Sequence, residues 1–381
     1  LGLFFLVKLN QKLKKMIQRK IKTKLIGKEE VFKILALGEA TKLPVLLLGE
    51  PGVGKTQGLL DYAAAKYNYN IKEVKNKTFI LELDEGTKTS EVKGRVNMKS
   101  LLENKEYKLD TPIADAEYIL INEVDKGTSG VRNTLLSIMR EKALFHGNEI
   151  IKCHWEIFAG SCNTIPDDEI ENPFWDRFVL TYKVDRVGLT NVTDIWKTAK
   201  LGQELDINIP TLEEIENVKI NKGKTMKFLE CIYNDISDRT SSFLPLLIKG
   251  IKLIYKLDDV ESIIKCCEFI APTKLSELIS KLETKREASV RAQINSLKGV
   301  LEGDDTSYCK VFLIQILDEL EGMSKMNTYK TKTEVLLKDI VKILDMAKDD
   351  NDITNELFEI LQQAMTDKVN NFDKHYELWE I

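Results

Sequence analysis

The stretch Val45–Thr56, VLLLGEPGVGKT, restricts what this chain can fold into more than any other. An apolar run of strand length leads into G-x-x-x-x-G-K-T, and the residues that follow, QGLLDYAAAKY, read as a helix. Strand, glycine-rich turn and helix start, in that order, form the setting in which such a turn cradles phosphate. Gly49, Gly52 and Gly54 free the backbone to wrap anionic oxygens with N–H groups, carrying Glu50, Pro51 and Val53 along the same loop. The helix that opens near Lys55 aims its positive dipole end at the same place. The Lys55 ammonium reaches terminal phosphates, the Thr56 hydroxyl is placed to coordinate Mg²⁺, and Gln57 continues the first turn. The segment therefore reads as a nucleotide-binding loop.

Four more apolar runs have strand length: Thr78–Asp84, Glu117–Asn122, Trp155–Ser161 and Phe178–Val184. Helical stretches separate most of them. That alternation predicts a parallel sheet covered on both faces, with ligands beyond the carboxyl ends of the strands. The polar residues of interest stand just past those ends. Asn122-Glu123 closes the run YILIN-E, where phosphate-handling ATPases usually carry Asp-Glu. Asn163 reads either as a turn residue or as an amide that orients water. Arg177 reads either as an ion-pair partner of Asp176 or as a guanidinium reaching a neighbouring subunit's nucleotide. Arg239 falls in the first turn of a helix predicted to start at Ser237/Asp238. A cation there opposes the helix dipole, which points to a phosphate-facing role.

Taken together, GEPGVGKT, ILINEVDKGTSGVRNTLLSIMREKALFHGNEI, FAGSCNTIPDDEIENPFWDRF and ISDRT resemble the AAA+ ATPases of the MoxR family, and within it the RavA-like branch. The resemblance covers roughly residues 25–265. It implies a five-stranded parallel P-loop sheet of order 5-1-4-3-2, a helical lid and a C-terminal helical region. It also implies ATP and Mg²⁺ as cofactors. Glu123 would activate the attacking water and Asn163 would occupy the sensor-one position. Arg177 matches the arginine finger, and Arg239 the sensor-two position that closes the lid. KALFHGNEIIK resembles the hairpin inserted before sensor one, and Thr87–Lys108 the insert in the second helix. Thr56 and Asn122 would hold the metal. The departure is Asn122, which keeps an acceptor oxygen but not the charge of the usual Asp. Slow or magnesium-demanding turnover is the expectation. Asp84 and Asp125 are the acids near enough in sequence to compensate, and the sequence does not choose between them.

The family further implies a ring, a homo-hexamer, and a partner with a von Willebrand factor A domain. Remodelling of a protein complex is the expected activity. The alternatives are a nucleotide-gated scaffold with little turnover, or a motor or loader acting on DNA. The DNA reading comes from the nine Lys/Arg of Lys8–Lys28, a stretch without a single acid. The apolar run LGLFFLV before them is too short to span a bilayer and is a poor leader peptide. The six cysteines show neither disulfide nor zinc spacing, which fits a reducing, cytoplasmic compartment. The predicted organisation is a basic arm over 1–24, an α/β nucleotide-binding core over 25–187, a helical lid over 188–270 and a helical domain over 271–381.

Overall fold

The structure, a computed structural model, describes residues 17–96, 102, 109–146, 149–166, 173–187, 202–272, 275–301, 309–324, 330–346, 357 and 359–361. The LGLFFLV run, the middle of the Thr87–Lys108 insert and residues 188–201 lie outside the described residues. The chain divides into two units, Leu1–Met226 with Tyr233–Leu275, and Lys227–Ile232 with Ser276–Ile381.

Among the described residues, the first unit holds the strands. β1 (Ile17–Thr23) and the helix Glu29–Thr41 precede β2 (Val45–Leu48). The helices Lys55–Lys66 and Ile71–Lys77 lead to β3 (Thr78–Glu82). The short strands β4 (Arg95–Val96) and β5 (Leu109–Asp110) pair antiparallel, β4 within the predicted insert and β5 just past its end. β6 (Tyr118–Asn122) is followed by the helix Ser129–Glu141 and the antiparallel hairpin of β7 (Ala143–His146) and β8 (Glu149–Lys152). That hairpin stands where the sequence placed it. β9 (Ile157–Cys162), β10 (Leu180–Lys183) and β11 (Gln203–Ile209) complete the set.

The central sheet runs β10-β2-β9-β6-β3, and every pairing in it is parallel. Numbered by occurrence within the sheet, that is the expected order 5-1-4-3-2. β2, β6 and β9 are buried along their whole length, as strands covered on both faces must be. Ile119, Ile121 and Phe158 of the sheet share one core with Leu135 and Ile138 of the helix Ser129–Glu141. Each such side chain contributes about 1.5–3 kcal/mol on burial. Trp155 sits in the same core and donates from its indole N–H to the Ile138 carbonyl at 2.9 Å. Thr128 caps the helix, accepting from the Val131 amide, so the chain leaves β6 and turns sharply back onto the sheet.

Two segments depart from expectation. Residues 17–23, assigned to the basic arm, form β1, and residues 203–209, within the stretch read as helical lid, form β11. The two pair antiparallel along their whole length, from Ile17↔Ile209 to Thr23↔Gln203. The reason lies in side-chain alternation. Arg19, Ile21 and Thr23 point inward and the residues between them outward. Arg19 is buried because Glu39, on the helix Glu29–Thr41, meets it with two hydrogen bonds of 2.5 and 3.1 Å. Tyr62 and Lys66, on the helix Lys55–Lys66, donate to the same carboxylate at 2.7 and 2.9 Å. Thr23 donates to Asp61 on that helix at 2.6 Å. The ribbon is thus tied to the helix that follows the phosphate loop.

The first unit also contains the helices Leu212–Asn217, Asp238–Tyr255 and Asp259–Ile270. Thr211, Ser237 and Asp258 cap their starts through side-chain oxygens. The second unit contains the helices Cys309–Ser324 and Lys330–Met346 and nearly all of Leu275–Leu301. Leu297, Leu313, Ile316, Leu336 and Ile340 are among its buried residues. The division at Ser276 falls a few residues from the predicted start of the last domain at 271.

Candidate phosphate-binding site

β2, β9 and β6 lie side by side and end on one edge of the sheet. The registers Leu48↔Cys162 and Asn122↔Ser161 bring their ends level. Beyond them come the loop Gly49–Gly54, Asn163 and Glu123. Residues far apart in the chain therefore meet at one place.

The loop passes through positive φ at Gly52 (81°) and Gly54 (92°). A Cβ on Gly54 would come within 2.7 Å of the Leu25 side chain, so both conformation and space require glycine there. No side chain caps the helix Lys55–Lys66, which leaves its first-turn amides to serve an anion. Lys55 is buried, and its ammonium donates to Gly49 O at 2.5 Å, Glu50 O at 3.0 Å and Asn163 Oδ1 at 3.1 Å. Burial lowers its pKa, against the opposing pull of Cys162, Glu123 and Asp125. Burial also pushes the neighbouring Cys162 thiol up to about 12, so it stays neutral and is no nucleophile.

Asn122 is buried at the end of β6. Its Oδ1 accepts from Ser161 Oγ at 2.9 Å and, in a longer contact, from Thr56 Oγ1 at 3.4 Å. Glu123 adopts the left-handed conformation, φ 55° and ψ 46°, at a cost of about 1 kcal/mol for a residue with a side chain. Such strain gathers at functional sites, where the surroundings enforce it. Its carboxylate pairs with Lys126.

Arg177 and Arg239 come together on Asp176. Arg177 Nη1 lies 3.4 Å and Arg239 Nη1 3.8 Å from Asp176 Oδ2. Arg177 also donates to Pro173 O at 3.4 Å. The pairing of Arg177 with Asp176, one of the two readings of that arginine, is present. Arg239 shares the Asp176 carboxylate with Arg177, which stands beside β10. Ser161 and Leu25 also carry this geometry, and the sequence reading assigned neither a role. Leu25 covers Gly54 and Gly58 from outside the loop. Beside Gln57 opens a cavity of about 810 Å³ lined by Thr23, Lys24, Asp61 and Gln203. Gln57 itself donates to Asp61 at 2.7 Å.

Thr56 and Asn122 present neutral oxygens, and Asp125 has a buried Oδ1 without a hydrogen-bond partner. A hard cation that keeps most of its waters and phosphate ligands suits such a set. Among the described residues no cluster of three or more His, Cys, Asp or Glu side chains could enclose a metal unaided.

A parallel sheet of this order with a glycine-rich loop after its first strand defines a P-loop nucleoside triphosphatase core of the AAA+ type. Residues 11–222, more than half the chain, match the family described as the MoxR domain in MoxR–vWA–beta-propeller ternary systems. The chain belongs to the MoxR family of AAA+ ATPases. It is 29% identical over 184 residues to an uncharacterized protein of Methanocaldococcus jannaschii, covering 48% of this chain and 46% of that one. A second uncharacterized protein of that organism is 31% identical over 161 residues, covering 42% and 40%. A structural protein of Acidianus two-tailed virus is 28% identical over 159 residues, covering 40% and 25%. The chain thus spans less than half the length of the curated relatives it matches. A crystal structure of a candidate ATPase from Cytophaga hutchinsonii shares 18% identity at a TM-score of 0.48, covering 65% of this chain and 82% of that one.

Proposed function

We propose that this protein is a ring-forming ATPase that hydrolyses ATP with magnesium to remodel a protein complex. The observation that carries the reading is the meeting of Lys55, Asn163, Asn122 and Glu123 at the ends of three adjacent strands. In this reading the loop amides and Lys55 hold the phosphates, and the cavity beside Gln57 gives room for the nucleoside. Thr56 and the Asn122 carbonyl would hold the magnesium ion. Magnesium, when bound, neutralises charge on the phosphate oxygens. Asn163 orients a water, and Glu123 takes its proton as the water oxygen attacks the terminal phosphorus. The bond from that phosphorus to the bridging oxygen breaks and ADP leaves.

Arg177 and Arg239 act together on the nucleotide of the neighbouring protomer, with Asp176 holding them side by side until an incoming phosphate takes its place. A fixed guanidinium pair favours charge as it spreads over the transferring group. The description of the family supports a partner with a von Willebrand factor A domain. Among the described residues no helix is long and apolar enough to cross a membrane.

The test is complementation between inactive protomers. Lys55→Ala and Arg177→Ala are each expected to lose turnover, and an equimolar mixture to recover a fraction of it. Mixed rings contain interfaces with an intact loop facing an intact arginine. Phosphate release is the readout. No recovery from variants that are folded and co-assembled would remove the shared site.

A second reading is a nucleotide-gated scaffold, favoured by the missing charge at Asn122. The name of the viral relative, a structural protein, is in keeping with it. Undetectable turnover by the natural chain that appears in Asn122→Asp would favour this reading. Action on DNA draws less support. Lys20 of β1 is paired with Glu204 of β11 at 3.0 Å, so part of the basic stretch is already matched by acids.

A further inference from the structure

Asn122 leaves the cation side of the site with an acceptor but without a charge. Its Oδ1 serves Ser161 and Thr56, and an amide oxygen does this while remaining neutral. Two acids stand near enough in the chain to make up the difference, and the structure separates them. Asp84 is solvated and already engaged. The Thr87 hydroxyl donates to its Oδ1 at 2.7 Å and folds the carboxylate into a local turn.

Asp125 is different. It lies in the single turn of 3₁₀ helix Val124–Lys126 that follows Glu123, and its Oδ1 is buried with no hydrogen-bond donor. An unmet carboxylate oxygen out of water costs free energy, which a cation or its bound water would return. Arg132 Nη2 donates at 2.7 Å to the backbone carbonyl of Asp125, so this anchor of the turn does not rest on the carboxylate. Val124 of the same turn packs on β9, where a Cβ on Gly160 would come within 3.0 Å of it, so the turn lies against the strand that ends beside Asn163.

The geometry points to Asp125 as a positioning residue that supplies the negative charge Asn122 lacks, acting on the water shell of the magnesium that accompanies the nucleotide. The inference rests on the reading of Gly49–Thr56 as a nucleotide site. The charge has moved from the end of β6 to the turn three residues on, and the ligand oxygen has stayed.

The test measures Mn²⁺ affinity by electron paramagnetic resonance in the presence of adenylyl imidodiphosphate. The natural chain, Asp125→Asn, Asn122→Asp and the double variant are compared. A fluorescent ATP analogue in EDTA reports metal-free nucleotide binding in each. Asp125→Asn is expected to weaken Mn²⁺ binding by roughly tenfold, in the range for supporting residues around a metal. Asn122→Asp alone is expected to tighten it by less than about threefold, because the charge is already present. The double variant is expected to return to near the natural value, and every variant to retain nucleotide binding in EDTA. Mn²⁺ affinity within about twofold of natural in Asp125→Asn would overturn the inference, as would tightening of about tenfold or more in Asn122→Asp. If Asp125→Asn does not fold, the Asn122→Asp measurement decides alone. A natural chain that binds no nucleotide in EDTA removes the nucleotide reading and this inference with it. That outcome is distinct from intact nucleotide binding with unchanged metal affinity.

Discussion

Glu123→Gln is expected to abolish turnover while ATP stays bound. Glutamine matches glutamate in shape, so the left-handed turn after β6 and the packing around it are kept. The amide cannot accept the proton that leaves the attacking water. Loss of a positioned general base costs about 10²–10⁴-fold in rate. Steady-state phosphate release should therefore fall by at least roughly a hundredfold. Calorimetry should show nucleotide affinity changed by less than the amount one hydrogen bond carries, about 1 kcal/mol. A companion substitution separates chemistry from conformation. Glu123→Gly removes the same carboxylate but frees a backbone held at φ 55°. It is expected to lose turnover equally and to be no less stable, because glycine adopts that conformation without penalty. Turnover that survives in Glu123→Gln would place the base elsewhere and undo the assignment of this edge as the hydrolytic centre.

The same residues show why the site could be read from the sequence while parts of the frame could not. The phosphate loop is legible because its constraints are local. Positive φ at Gly52 and Gly54 demands glycine at fixed offsets from Lys55. The buried strands are legible as well, since a parallel strand covered on both faces is apolar along its length, as Tyr118–Ile121 is before Asn122 closes it. Their spatial order is not a local property, and it followed from the resemblance to a family. β1 was hidden for a physical reason. One of its three inward positions is Arg19, so its alternation looks like a run of solvated charge until Glu39, twenty residues on, is seen to meet it. β11 carries the alternation Leu205, Ile207, Ile209 in plain form, but surrounding stretches of helical periodicity masked it. That Arg239 joins Arg177 on Asp176 had no signal in the sequence, because the two arginines lie far apart in the chain until the fold brings them to one carboxylate.

Glu39→Ala is expected to be the most destabilising single change outside the sheet. Arg19 and Glu39 are 8% and 6% exposed, and the Arg19 guanidinium lies 5.0 Å from the centre of the Tyr62 ring. Removing the carboxylate strands that guanidinium out of water and takes an acceptor from Tyr62 and Lys66. Breaking one partner of a buried pair costs about 3–5 kcal/mol. A melting temperature lower by roughly ten degrees is the expected readout, at about 2–4 °C per kcal/mol for a unit of this size. Replacing both partners, as Arg19→Met with Glu39→Leu, should cost less than the sum of the single changes. The pH dependence has a definite sign. Burial alone would raise the Glu39 carboxyl, but Arg19, Lys66 and Tyr62 outweigh it and hold the pKa at about 2. A group whose folded pKa lies below its unfolded value stabilises above the unfolded value, near 4.3 for glutamate. The contribution, about 3 kcal/mol, is then lost as the pH falls from roughly 4.3 toward 2. Acid unfolding of the natural chain should steepen across that interval, and Glu39→Gln should flatten it. A Glu39→Ala protein that melts within about one degree of the natural chain, or acid profiles that superimpose, would show that β1 is held by its pairing with β11 and not by this ion pair.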